Sequence, residues 1–134
     1  MIKLLPLILF LSSCAAPLLP AEKTPEKEYF LARVTFYSDD PKYGKKTASG
    51  RIARHGTTVA AAKKVPFGTQ YRIPRLKQWI STDGNFRVED RGSAVDKRTA
   101  SRGKLPVIDV YVKSPDYIRR LGGRSGNIFK VYKK

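Results

Sequence analysis

Asp90 and Asp109 are the residues of this sequence best suited to carry out chemistry. Asp90 follows Asn85-Phe86-Arg87-Val88-Glu89 and precedes Arg91-Gly92; Asp109 sits inside Val107-Ile108-Asp109-Val110-Tyr111-Val112. A carboxyl group can pass a proton to a reacting oxygen if burial or a neighbouring like charge keeps it protonated near neutral pH. Glu89 alternates with Asp90, so in a regular strand their side chains face opposite ways. Asp109 supplies the neighbouring charge if the two strand ends meet, whereas an adjacent cation such as Arg91 favours the ionised form. Each aspartate also has a plainer use. Asp90 suits a turn residue that bonds the backbone two positions on. Asp109 lies in so apolar a run that it requires a partner, and bracing a loop fits it as well as catalysis does.

Positioning these residues requires a β-rich domain. Tyr29–Tyr37 is a strand by its aromatic and β-branched content. Thr57–Ala61 is a second, weaker one. Gln70–Ile73 alternates as a strand does, after a turn at Val65-Pro66-Phe67-Gly68. Trp79–Thr82 and Asn85–Glu89 read as a hairpin on Asp83-Gly84. Val107–Val112 is the strongest strand, and Ile128–Tyr132 is the last. Ser114-Pro115-Asp116 resembles a helix start with proline in the first turn, and Gly122-Gly123 stops that helix. Short strands with one short helix predict a small, closed, all-β barrel.

The chain has 134 residues, with one histidine, His55, and one cysteine, Cys14. A histidine-rich metal site, a thiolate cluster and an internal disulfide are therefore excluded, and no metal or other cofactor is expected. His55-Gly56 reads as an exposed turn. The 27 Lys and Arg outnumber the 11 Asp and Glu, a net charge of +16, which speaks of anionic partners and not of fold.

The N-terminus has its own chemistry. Lys3, then the apolar run Leu4–Leu11, then Ser12-Ser13-Cys14 resembles a bacterial lipoprotein signal. The run is too short to span a bilayer as a mature helix. The resemblance implies a signal over 1–13, lipid on Cys14 and a domain on the outer side of a bacterial membrane. Ala15, next to Cys14, leans towards an outer membrane where the host has one. Residues 14–28, rich in proline and charge, read as a flexible tether, leaving 29–134 as one domain. In that compartment the polyanions at hand are cell-wall polymers, lipid head groups and lipopolysaccharide, and no nucleic acid is expected.

Thr47-Ala48-Ser49-Gly50, Val65-Pro66-Phe67-Gly68-Thr69, Glu89–Val95 and Val107–Tyr111, in this order, resemble the three-aspartate (3D) domain. That domain is a double-psi β-barrel of membrane-bound lytic transglycosylase A and other wall proteins. The segments also resemble the related barrel of rare lipoprotein A. The likeness covers roughly Arg33–Tyr132 and implies a six-stranded double-psi barrel acting on peptidoglycan glycan strands. It matches Asp90 and Asp109 to family aspartates. It makes Thr47, Ser49, Arg91 and Gly92 candidate substrate contacts. Two departures stand out. The first family aspartate would fall near Ala61, and the acidic and histidine positions of rare lipoprotein A hold Arg51 and Ala62.

Glycoside hydrolysis needs two carboxyl groups. A lytic transglycosylase needs only one, which protonates the leaving oxygen and then, as base, helps the sugar's own C6 hydroxyl close onto the anomeric carbon. Asp90 fits that reaction. A barrel that binds the wall without cleaving it fits the missing carboxylates. Thr47 and Ser49 suit sugar hydrogen bonds or a plain loop. Trp79, Tyr37 and Tyr111 suit sugar stacking or the core. Asp96-Lys97-Arg98 reads as a solvated loop beside the site.

Overall fold

A computed structural model describes residues 3, 27–39, 46–80, 82–92, 95, 105–121 and 127–134. Cys14, the signal, most of the tether and Asp96-Lys97-Arg98 lie outside the described residues.

Six strands form the domain: β1 (Phe30–Tyr37), β2 (Thr58–Ala60), β3 (Gln70–Arg72), β4 (Asn85–Asp90), β5 (Val107–Tyr111) and β6 (Asn127–Lys133). Among the described residues two short helices join them, α1 (Leu76–Ile80) and α2 (Pro115–Arg120). The strands close into a barrel in the order β1-β5-β2-β4-β3-β6. The pairs β1/β5 and β2/β4 are parallel and the other four antiparallel. Closure gives every strand a neighbour on both sides, which removes the exposed edges that would invite aggregation. The small all-β barrel expected from the strand pattern is thus the fold.

Alternation decides which side chains fill the barrel. Ala32, Val34 and Phe36 of β1, Phe86 and Val88 of β4, Ile108 and Val110 of β5, and Phe129 and Val131 of β6 are buried in one cluster. The intervening residues face outward, where Ala60, Val95 and Val107 form a second, smaller cluster with Tyr37 packed against it. All the described strands, both described helices and both clusters lie within residues 30–133.

The expected hairpin at Trp79–Thr82 is not formed, and the described residues hold two short helices where one was expected. Leu76 and Ile80 are both fully buried. Their spacing of four places them on one helical face, which outweighs the strand propensity of Trp79-Ile80. Trp79 packs edge-on against Phe129, with ring centroids 5.3 Å apart, and belongs to the core periphery. β4 pairs with β3 instead, and α1 fills the connection. Asp83-Gly84 turns the chain from α1 into β4: Asp83 Oδ1 accepts the Asn85 N–H at 2.9 Å, and Gly84 has φ of 81°, a conformation cheap only for glycine.

His55 differs from the exposed turn expected of it. The Lys113 N–H donates to its Nδ1 at 3.0 Å, so the ring proton sits on Nε2, 3.1 Å from the Ile80 carbonyl oxygen. Its ring lies 4.7 Å from that of Tyr117. One imidazole thereby joins α1, the end of β5 and α2.

Candidate functional site

The register of the sheet puts the two aspartates on one face, on either side of one residue. Ala60 of β2 is opposite Asp90 on one side and Asp109 on the other, and Asp109 is opposite Thr35 of β1. Thr35, Asp109, Ala60 and Asp90 thus form one row across four strands, on the outer face of the barrel. With strands about 4.8 Å apart, the backbones carrying the aspartates are separated by about 10 Å.

An irregularity in β4 creates this arrangement. Val59 is opposite Val88 and Ala60 is opposite Asp90, so Glu89 is an extra residue, a β-bulge. Without the bulge, Asp90 would follow Phe86 and Val88 into the barrel. With it, Glu89 and Asp90 both face outward: Glu89 reaches Thr58 and Asp90 sits beside Ala60, two residues along the same strand face. The opposite orientation expected from simple alternation is therefore corrected.

Asp90 is half-buried and accepts three hydrogen bonds. The Ala48 and Arg91 N–H groups donate to Oδ1 at 2.9 and 2.8 Å, and the Tyr37 hydroxyl donates to Oδ2 at 2.8 Å. Asp109 Oδ1 accepts the Thr35 hydroxyl at 2.9 Å, the partner that its apolar strand demands. Tyr37 feels both carboxylates. Burial first, then the charge of Asp90 and its hydrogen bond, then the charge of Asp109, push its hydroxyl far above the ordinary phenol value. Tyr111 packs edge-on to Tyr37, with centroids 5.5 Å apart, and donates to Asp39 Oδ1 at 2.5 Å. Its acidity is suppressed by burial and then by that carboxylate.

The remaining candidates divide by role. Thr47 is buried and spends its hydroxyl on the turn: it donates to the Arg51 carbonyl oxygen at 2.7 Å and lies 3.0 Å from Ser49 Oγ. Ser49 lines a surface hollow of about 240 Å³. The whole turn is pinned to β4, because Ala48 N–H reaches Asp90 and Ser49 N–H reaches the Glu89 carbonyl oxygen at 3.1 Å. Arg91 directs its guanidinium to the carbonyl oxygens of Val65 and Asp90 and stacks over Phe67 at 4.0 Å. It therefore ties down the Val65–Gly68 turn. Gly92 accepts the Val95 N–H at 2.9 Å, and a Cβ there would meet Val95 Cγ2 at 3.1 Å. Gly92 is thus a packing position.

Glu89 was not foreseen. It is 1% exposed, accepts the Thr58 hydroxyl on Oε2 at 2.9 Å, and has Arg54 at 3.4 Å and Arg87 Nε at 3.9 Å from Oε1. The available signal was the break in alternation after Phe86 and Val88, where two consecutive acidic residues follow. A larger hollow, of about 390 Å³, is lined by Leu31, Pro74, Arg75, Ile128, Lys130 and Tyr132 and carries no carboxylate. Among the described residues no His, Cys, Asp and Glu gather in a group able to hold a metal ion.

Comparison with models of known families gives no match, and comparison with curated proteins gives none either.

Proposed function

We propose that this protein is a lipid-anchored peptidoglycan-remodelling protein, a three-aspartate-type double-psi barrel that cleaves glycan strands by lytic transglycosylase-like chemistry. One observation carries the reading: Asp90 and Asp109 flank Ala60 on a single outward face, beside a hollow bordered by the Thr47–Arg51 turn. Cys14 is the lipid anchor in this reading, and the sacculus is the partner.

In this reading Asp90 is the acid and then the base. Its Oδ1 is occupied by two backbone N–H groups, so Oδ2 is the oxygen that gives up and regains the proton. Tyr37 can donate to Oδ2 when it is ionised and accept from it when it is protonated. The suppressed acidity of Tyr37 keeps it a phenol, so it orients the carboxyl without competing for the proton. Asp109, two strands away, places a second carboxyl group on the same face.

A second reading, a non-catalytic wall-binding module, draws support from the same donors. Ala48 N–H, Arg91 N–H and Tyr37 O–H also make Asp90 a tie between three segments. The test is product analysis. Residues 28–134, incubated with glycan strands, are expected to release 1,6-anhydro-ended fragments detectable by mass spectrometry. Asp90→Asn is expected to reduce release by about 10²-fold or more while binding to sacculi persists. Absence of fragments from the wild type across pH 4 to 8, or equal release by Asp90→Asn, would establish the binding module instead.

A further inference from the structure

We propose that the hollow next to Asp90 is a carboxylate-binding subsite that takes the anionic end of a peptide branch on the glycan strand. It deepens, and rests on, the reading of this face as a glycan-strand site. The hollow is lined by Ser49, Arg51, Phe67, Gly68, Arg87 and Glu89. It adjoins Asp90 through the turn that borders both, since Ala48 N–H reaches Asp90 and Ser49 N–H reaches the Glu89 carbonyl oxygen.

Arg87 is the central residue. Its Nε is buried and has no hydrogen-bond partner among the described residues. Glu89 Oε1 lies 3.9 Å away, beyond hydrogen-bond reach, and already has the Arg54 guanidinium at 3.4 Å. A buried donor without an acceptor is costly; the side chain as a whole is 39% exposed, so a ligand in the hollow would meet the outer part of the guanidinium and draw Nε into a bond by a small shift. Gly68, at φ of 86°, leaves room beside the guanidinium: a Cβ there would lie 3.4 Å from a terminal nitrogen of Arg87. A planar fork of donors next to a turn without a side chain at Gly68 suits a carboxylate bound by two parallel hydrogen bonds.

Charge agrees with geometry. Arg51 and Arg87 line the hollow and Arg54 borders it, three cations against the single carboxylate of Glu89. Phe67, 46% exposed and stacked under Arg91, forms an apolar wall. A carboxylate carried on a residue with a small apolar side chain satisfies both features. A strand whose glycosidic oxygen lies at Asp90 would thus have its peptide branch held by Arg87, and peptide-bearing strands would be preferred over bare ones.

The test uses residues 28–134 with selective observation of the Arg87 Nε–H signal by NMR. The probes are acetyl-dialanine, its C-terminal amide, and inorganic phosphate, which the same fork could recognise. The free acid is expected to shift the signal saturably and the amide to leave it unchanged. Arg87→Lys, which keeps the charge and loses the fork, is expected to weaken binding about tenfold. Should that variant fail to fold, exposed Arg51→Gln makes the same test, with an expected loss of about threefold. Equal shifts by acid and amide, or unchanged affinity in a folded variant, would overturn the proposal. Tighter binding of phosphate than of acid would overturn the carboxylate assignment in favour of a phosphoryl ligand. Glycan strands with and without their peptides give an independent arm, and equal retention of both would also overturn it. None of these readouts depends on cleavage, so failure of Asp90 as a catalyst, seen as missing anhydro products, is distinguishable from failure of the subsite.

Discussion

The hydroxyl of Tyr37, at the end of β1, donates to Asp90 Oδ2, at the end of β4, over 2.8 Å and across 53 residues of sequence. This bond and the surrounding burial hold the phenol in its neutral form. The folded state therefore keeps a proton that the unfolded chain loses above the ordinary phenol value of 10.0. Stability from this group is fully present below pH 10 and falls as pH rises beyond it, by roughly 1 kcal/mol per pH unit. Urea unfolding at pH 8, 9.5 and 11 should show a steeper loss in the wild type than in Tyr37→Phe. Parallel curves would mean that Tyr37 titrates normally.

Glu89 is expected to matter more for stability than its partner Arg54. Removing the buried carboxylate in Glu89→Ala leaves the Thr58 hydroxyl buried without its acceptor and opens a void. The expected loss is about 2–3 kcal/mol. Arg54 is 60% exposed in its side chain, and solvent screens what it contributes, so Arg54→Ala should cost clearly less. Chemical denaturation of both variants checks the order.

Asp109→Asn separates a scaffold from a catalyst. The amide keeps an acceptor for the Thr35 hydroxyl but no longer carries charge. If Asp109 acts on Asp90 electrostatically, cleavage should fall with little change in melting temperature. If it braces the barrel, melting temperature should fall too. Thr35→Val, which removes the donor and leaves the charge, should lower stability by about 1–2 kcal/mol and leave the carboxylate in place.

Binding to sacculi should weaken as salt is raised, because the chain carries +16 and added ions shorten the range of its attraction. Pull-down at low and high ionic strength measures it. Absence of binding at low salt would remove the wall as the leading partner.

Much of the barrel was legible because each strand carries its own pattern. β1, β3, β5 and β6 follow alternating or β-branched runs, and their observed limits lie within a residue or two of those expected. α1 was misread because Trp79-Ile80 has strand-like composition, while the burial of Leu76 and Ile80 four residues apart depends on tertiary packing. At the site, Asp90 and Asp109 stood out by type and setting. Their placement on either side of Ala60 did not, since it follows from the pairing of β2 with two strands distant in sequence, parallel with β4 and antiparallel with β5. The bulge at Glu89 escaped notice for a related reason: alternation assumes an unbroken ladder, and one extra residue reverses the face of everything after it.

The pairing of β1 has a consequence for how the chain acquires its shape. Both neighbours of the first strand, β5 and β6, belong to the last third of the sequence, and the Thr35–Asp109 contact spans 74 residues. A chain made from its N-terminus must carry β1 unpaired until nearly all the rest has emerged. Loop-closure entropy on this scale makes folding slow and late compared with a fold of local contacts. The row that holds Asp109 beside Ala60 and Asp90 waits for β5, so a chain that stops short of that strand has no site at all. Removing β6 would leave β1 and β3 with one neighbour each, β5 and β4, and turn the loss of seven residues into two open sheet edges.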